Sequence, residues 1–393
     1  MSTPPPDTSS MQEDAPAGAD RKRRRRRPVL LVPAAVLLVA GALYAVLDGD
    51  GRQRDEGALA TSCRGALAGG ELATLLDSDR LRAEPRTDAA RETGWVDRCV
   101  IEGRGGDSGV VELNIGWAGK AHGALSGLGR AGYAGDAVAA VPLGHGWSGA
   151  VLAGGPTADA AVLLPCRGSD RSLLIGVSAA LPDRGSPFRD PDTIGALARV
   201  TTGTAERAAK KLGCEASPGG TVTSLAPPPL DRADSVPLGR ATGTCRALAP
   251  TASARGRAAL ETELGDAPIE DCFVTDTRGK RLYHLGAFYG PYARDLRADP
   301  PGEQRFTSPS GIDGRTGDAW ATAQCRGFFG TARFTLTAAT DRERPKATGD
   351  TERRERQEML KAFARDAARR HGCSGLNTPS QEGSGGHGME EHL

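Results

Sequence analysis

The sequence predicts an α+β fold: two tandem homologous domains, each an antiparallel sheet with flanking helices, preceded by one transmembrane helix. Three observations predict it. Eight cysteines fall into two sets of four with recurring neighbours. Short apolar runs are separated by glycine-rich turns, and a long helical pattern closes each set. One uncharged run of twenty residues stands ahead of every cysteine.

That run, residues 28–47, follows seven consecutive cations, Arg21 to Arg27. At about 1.5 Å per residue a helix of this length covers the ~30 Å hydrocarbon core. Lys and Arg are retained on the cytoplasmic side, so the expected arrangement is a single-pass plasma-membrane protein. Its N-terminus is cytoplasmic and its C-terminus extracytoplasmic. Residues 1–27 are read as a disordered basic cytoplasmic tail, because Pro4-Pro5-Pro6 and scattered acids offer nothing to bury. Ala40-Gly41-Ala42 would pass as a signal cleavage site, but the apolar run continues to Leu47, which favours an uncleaved anchor. The first cysteine, Cys63, comes too late for a lipid attachment. Residues 48–60 are a polar juxtamembrane spacer.

Residues 61–216 form the first predicted domain and residues 244–374 the second. Cys63-Arg64 recurs as Cys245-Arg246. Asp97-Arg98-Cys99-Val100 is matched by Glu270-Asp271-Cys272-Phe273. Cys166-Arg167-Gly168 returns as Cys325-Arg326-Gly327, and Lys210-Lys211-Leu212-Gly213-Cys214 as Arg369-Arg370-His371-Gly372-Cys373. The last two cysteines of each set are 48 residues apart in both copies. Residues 217–243, with Pro227-Pro228-Pro229, are expected as a Pro/Gly linker. Residues 375–393, rich in Gly, Ser, Glu and His, are expected to be a disordered tail.

Within each copy the first Cys should lead into a helical stretch, on Leu67, Leu75 and Leu76 in copy one and on Leu260 and Leu264 in copy two. The second Cys should sit in a hairpin. Val96–Ile101 and Val110–Trp117 form it in copy one, and Phe273–Val274 and Leu282–Tyr289 in copy two. Strands Ala160–Pro165 and Ser172–Leu181, then Ala319–Gln324 and Arg333–Ala338, come next. Phe334 and Leu336 alternate with Thr335 and Thr337, the pattern of a half-buried strand. In the closing helix Met359, Leu360, Phe363 and Ala367 form one stripe, with Arg353, Arg356 and Arg365 facing elsewhere. Gly213 and Gly372 stand at helix C-termini.

Cys63, Cys99, Cys166, Cys214, Cys245, Cys272, Cys325 and Cys373 are disulfide candidates, since all lie on the oxidising side. Internal pairing repeated in both copies leaves three schemes. First with second and third with fourth is preferred, but first with fourth and second with third stays open. No two cysteines are closer than 27 residues, so neither a zinc knuckle nor a redox Cys-x-x-Cys is present. His122, His145, His284, His371, His387 and His392 form no metal or hydrolase motif. No catalytic, cofactor-binding or metal residue is therefore assigned, and no cofactor is expected. Gly103–Gly106 and Gly144–Trp147 read as turns. Trp95, Trp117, Trp147 and Trp320 are assigned to the core in preference to a ligand groove.

Fifty Lys and Arg against forty-nine Asp and Glu leave the chain nearly neutral. That argues against nucleic acid as a partner. The layout of basic tail, single span and duplicated four-cysteine domain resembles the uncharacterised membrane-anchored or secreted envelope proteins of Streptomyces-type actinobacteria. The resemblance implies location and layout, and no activity. The expected function is a non-catalytic extracytoplasmic binding or interaction protein of the cell envelope. Its motivation is duplication without a repeated polar constellation. Alternatives are an envelope enzyme of hydrolase type, with a site in one copy or between them, and a purely structural envelope protein. The partner, an envelope ligand or protein, has no signature in the sequence.

Overall fold

The computed structural model describes residues 55–86, 93–104, 108–124, 138–182, 185–251, 254–298, 308–313, 316–338 and 349–379. The apolar run 28–47 and residues 380–393 lie outside them. Among the described residues no helix is long and apolar enough to cross a membrane.

The first half contains helix α1 (Gly69–Leu75) and strands β1 (Leu81–Pro85), β2 (Trp95–Gly103), β3 (Val110–Trp117), β4 (Val141–Pro142), β5 (Gly149–Gly154), β6 (Thr157–Pro165) and β7 (Ser172–Ala180). Helix α2 (Pro191–Lys211) closes it. The second half contains β8 (Val236–Pro237), β9 (Arg257–Glu261), β10 (Ile269–Asp276), β11 (Arg281–Tyr289), α3 (Pro291–Ala298), β12 (Gly311–Ile312), β13 (Ala319–Cys325), β14 (Thr331–Ala338), α4 (Asp350–Arg370) and β15 (Cys373–Asn377). The first sheet runs β1-β2-β3-β7-β6-β5-β4 and the second β12-β13-β14-β11-β10-β9-β8, with β15 added beside β13. Read from the other edge, β9-β10-β11-β14-β13 retraces β1-β2-β3-β7-β6 strand for strand. All pairs are antiparallel.

One face of each sheet packs on its closing helix. Asp190 caps α2 by accepting the Thr193 N–H at 2.8 Å, with Pro191 next, a helix start that needs no further partner. Ile194, Leu197, Val200, Ala205 and Ala208 of α2 join Leu113, Ile115, Val162, Leu164, Ile175 and Val177 in one core. In α4 the predicted stripe Met359, Leu360, Phe363 and Ala367 is buried, all at 1% exposure or less. Full burial of a side chain like Phe363 contributes about 1.5–3 kcal/mol. Gly213 and Gly372 end the two helices at φ 64° and 61°, conformations that glycine adopts without steric cost.

Several expectations are corrected. The segment holding Leu260 is strand β9, paired with β10, and Leu264 lies in the following loop. Its Ala-rich composition suits a helix, but the open edge of β10 captures it. Thr335 and Thr337 are 1% and 3% exposed, so β14 is covered on both faces. Arg356 is buried: Nη1 donates to the Thr316 carbonyl at 3.1 Å and a second nitrogen pairs with Glu352. Residues 217–243 are no free linker. Trp147 Nε1 donates to the Gly220 carbonyl at 2.8 Å, Arg199 holds the Thr223 carbonyl at 2.6 Å, and Val222 and Leu238 are buried. Residues 375–377, expected in a disordered tail, belong to β15.

Candidate functional site

The cysteines pair as Cys63–Cys99, Cys166–Cys214, Cys245–Cys272 and Cys325–Cys373, the preferred scheme, and no cysteine is free. Cys63, Cys99 and Asp97 lie close enough to suggest metal ligands. With both sulfurs in a disulfide, that set does not fit a metal, because the ligand is the thiolate. The cysteines are the framework. The candidate site lies on the opposite face of the first sheet from Cys99.

The second face of each sheet, away from its helix, carries polar residues in matched positions. Leu113 opposes Cys99 in the first sheet as Leu285 opposes Cys272 in the second. From that anchor, register carries Glu112 onto His284, Arg98 onto Asp271 and Ser178 onto Thr337. Asp159 falls on Asp318, the residue before β13. In the first sheet Glu112 faces Ser178 and Ser178 faces Asp159, one row across three strands. The second sheet repeats the row as His284, Thr337 and Asp318. A polar constellation is thus repeated, contrary to the expectation from sequence.

The row is flanked by an ion pair whose sign is reversed between the sheets. Arg98 Nε donates to Glu112 Oε1 at 2.9 Å and its Nη2 binds the same oxygen. At the matching positions the acid is on the outer strand and the base on the inner: Asp271 Oδ1 lies 2.7 Å from His284 Nε2. The Arg98–Glu112 side chains are each 32% exposed, whereas His284 and Asp271 are at 3% and 0%.

In the second sheet this pair is used for internal docking. Asp271 Oδ2 accepts the Ala140 N–H of the first half at 2.8 Å, and Thr262 Oγ1 donates to the Ala140 carbonyl at 3.0 Å. Both backbone groups of Ala140 are therefore held by second-half side chains. Phe273 stacks on His284 with ring centroids 4.5 Å apart and packs with Ala139.

In the first sheet the row lines a groove of about 610 Å³, walled by Trp95, Arg98, Glu112, Asn114, His122, Asp159 and Ser178. A bulge in β2 builds one wall. Trp95 opposes Gly116 while Asp97 opposes Ile115, so the extra residue sends Trp95 and Asp97 to opposite faces. The indole then lies over Gly116, where a Cβ would stand 2.7 Å from Trp95 Cε3. Its Nε1 donates to the His122 carbonyl at 3.0 Å. Beyond the indole the face turns apolar: Ala150, Leu152, Ala161, Leu163 and Leu174 share one cluster with Ile269, Phe288, Tyr292 and Leu296 of the second half. Trp95 thus belongs to the core, as expected, and also bounds the groove.

Within the groove Glu112 Oε1 takes both Arg98 nitrogens and the Asn114 amide at 3.3 Å. Glu112 Oε2 has no hydrogen bond among the described residues. A carboxylate oriented by a guanidinium and an amide, with a serine and an aspartate in its row, suits a ligand carrying several hydroxyls. One sequence signal marked this face: Glu112 and Asn114 are polar at period two inside an apolar strand. Nothing in the spacing linked them to Asp159 or Ser178.

A second polar cluster closes the helix-facing side of the second sheet. Glu270 is paired with Arg370 and His371, and Asp366 bridges Arg246 and Arg370 at 3.1 Å each. Burial would raise the Glu270 carboxyl, but hydrogen bonds from His371 and Arg370 together hold it below its ordinary value. The matching acid in the first half, Asp97, faces Arg64 at 3.8 Å.

No known protein family matches the chain, and neither a curated protein nor a solved structure shows significant similarity to it.

Proposed function

We propose that this chain is a membrane-anchored, extracytoplasmic, non-catalytic binding protein of the cell envelope, and that the groove on the first sheet takes a hydroxyl-rich envelope glycan. One observation carries the reading. The Arg98–Glu112 pair is half-exposed in a groove, while its counterpart in the second sheet, Asp271–His284, is buried and its acid docks the two halves. In the first sheet Glu112 keeps one oxygen without a hydrogen bond among the described residues, in a groove bounded by the Trp95 indole.

The anchor is residues 28–47, with the folded halves outside; protease added to intact cells should digest the folded region and spare the N-terminal tail. Soluble wall-glycan fragments should bind the full chain in neutral detergent, measured by calorimetry. Glu112→Ala should weaken that binding roughly tenfold, the share of one charge-assisted hydrogen bond. Unchanged affinity in that variant, with the fold intact, would overturn the groove assignment.

A hydrolase is the second reading, favoured by the placement of Glu112 and Asp159. They lie two strands apart on one face, about 9.6 Å at the backbone, close to the roughly 6.5–9.5 Å between carboxylates of inverting glycosidases. Release of reducing ends from wall glycan, abolished in Glu112→Gln and Asp159→Asn, would establish it over simple binding.

A further inference from the structure

A second site stands apart from the groove, where α4 meets β15. A hollow of about 560 Å³ is lined by Arg326, Arg365, Arg369 and the backbone turn through Gly372 to Leu376, with no acidic residue in its wall. All three arginines are exposed. Arg369 spends one nitrogen on Asp366 at 2.9 Å. Arg326 and Arg365 form no ion pair with an acid among the described residues.

The hollow is rigidly framed. Cys325 and Cys373 are register partners in β13 and β15 and are also joined by a disulfide. Arg326 therefore leaves one end of the bridge while α4, carrying Arg365 and Arg369, runs into the other. Four residues separate Arg365 from Arg369, about one helical turn, so both project from one side of α4. The first half lacks this set: counting back from the closing cysteine, Glu206 stands where the second half has Arg365, and Arg167 is occupied by Ser217.

We infer that this hollow is a binding site for a phosphate-bearing anion. Guanidinium groups present a planar fork that matches phosphate oxygens, and three of them offset the charge of one or two phosphates. The wall offers no aromatic ring and only small apolar patches at Ala368 and Leu376, which disfavours a sugar face or a greasy ligand.

The test is arginine footprinting of the full chain in neutral detergent at low salt. Phenylglyoxal modification is followed by peptide mass spectrometry, so each arginine is read separately and the basic run at residues 21–27 does not confuse the result. Tripolyphosphate represents a soluble or polymeric phosphate; glycerophosphoglycerol represents a lipid headgroup. Modification of Arg326, Arg365 and Arg369 should slow by about fivefold or more with one of them. Arg353 and Arg354, on the first turns of the same helix, are the control and should react unchanged. In Arg326→Gln/Arg365→Gln the protection of Arg369 should disappear. The probe that protects identifies the source. Protection seen only after truncation at Pro379 also supports the site and makes the tail acids Glu382, Glu390 and Glu391 its competitors. Absence of protection with both probes, truncated or not, overturns the site, as does equal protection of Arg353 and Arg354.

Discussion

Asp271 and Arg98 hold matching places on β10 and β2, yet environment gives the two residues different energetic weight. Asp271 is fully buried, orients His284 and accepts the Ala140 N–H. Its removal leaves a buried imidazole and a buried donor without partners. Arg98 sits in a half-exposed pair, where solvent screens the charge. Asp271→Ala should therefore cost about 3 kcal/mol in denaturant unfolding and Arg98→Ala less than about 1 kcal/mol. Equal costs would mean that docking does not run through the acid. Glu270 supplies a pH dependence. Its carboxyl is held below the ordinary value of 4.5, so the folded state binds its proton less readily than the unfolded chain. The stabilisation is complete above pH 4.5 and is lost as pH falls through the depressed value. Unfolding midpoints should drop more steeply below pH 4.5 for the natural chain than for Glu270→Gln. None of these pairings was legible in the sequence, because Arg98 meets Glu112, and Asp271 meets His284, only once strand register is set.

Helix α2 shows what an element owes to its surroundings. Its Gly213 terminus is a local signal, so the closing helix could be read directly. Its start could not: Asp190 and Asp192, whose charged surroundings suggest a loop, are the cap and the first turn of the helix. α4 and the hairpins around Cys99 and Cys272 could also be read directly. β9 and β15 could not be read, since Arg257–Glu261 and Cys373–Asn377 are strands only because β10 and β13 offer them an edge. The strap over residues 217–225 is a further non-local feature, and it explains a glycine inside α2. A Cβ on Gly195 would lie 2.4 Å from the Thr223 carbonyl oxygen. In an exposed helix Gly→Ala stabilises by about 1 kcal/mol. Here Gly195→Ala should destabilise by about 1–3 kcal/mol, the cost of overpacking, with faster proteolysis at the strap. A gain in melting temperature would show that the strap is only loosely seated.

At the scale of the molecule, the two halves share topology and disulfide pattern but do not stand alone. Apolar residues of both second faces form one cluster, and both sheets lie in one compact unit. Polar contacts reinforce the joint. Arg294 of α3 donates to the Ala118 and Ala121 carbonyls, at 2.9 and 2.5 Å, and Ser148 reaches Asp266 at 3.2 Å. Ala140 is gripped from both sides. If each half were independently stable, calorimetry would show two transitions. A shared core and buried hydrogen bonds across the joint instead couple them, so the disulfide-intact chain should unfold in one cooperative transition. Arg294→Ala, which leaves two carbonyls without their donor, should lower the midpoint for near-ultraviolet signals from Trp95 and Trp147 in the first half and from Trp320 in the second together. Separation of those signals in Arg294→Ala would show two folding units joined at a weak seam. The groove would then need only the first half for its shape. With one transition retained, ligand in the groove should stabilise the second sheet as well as the first.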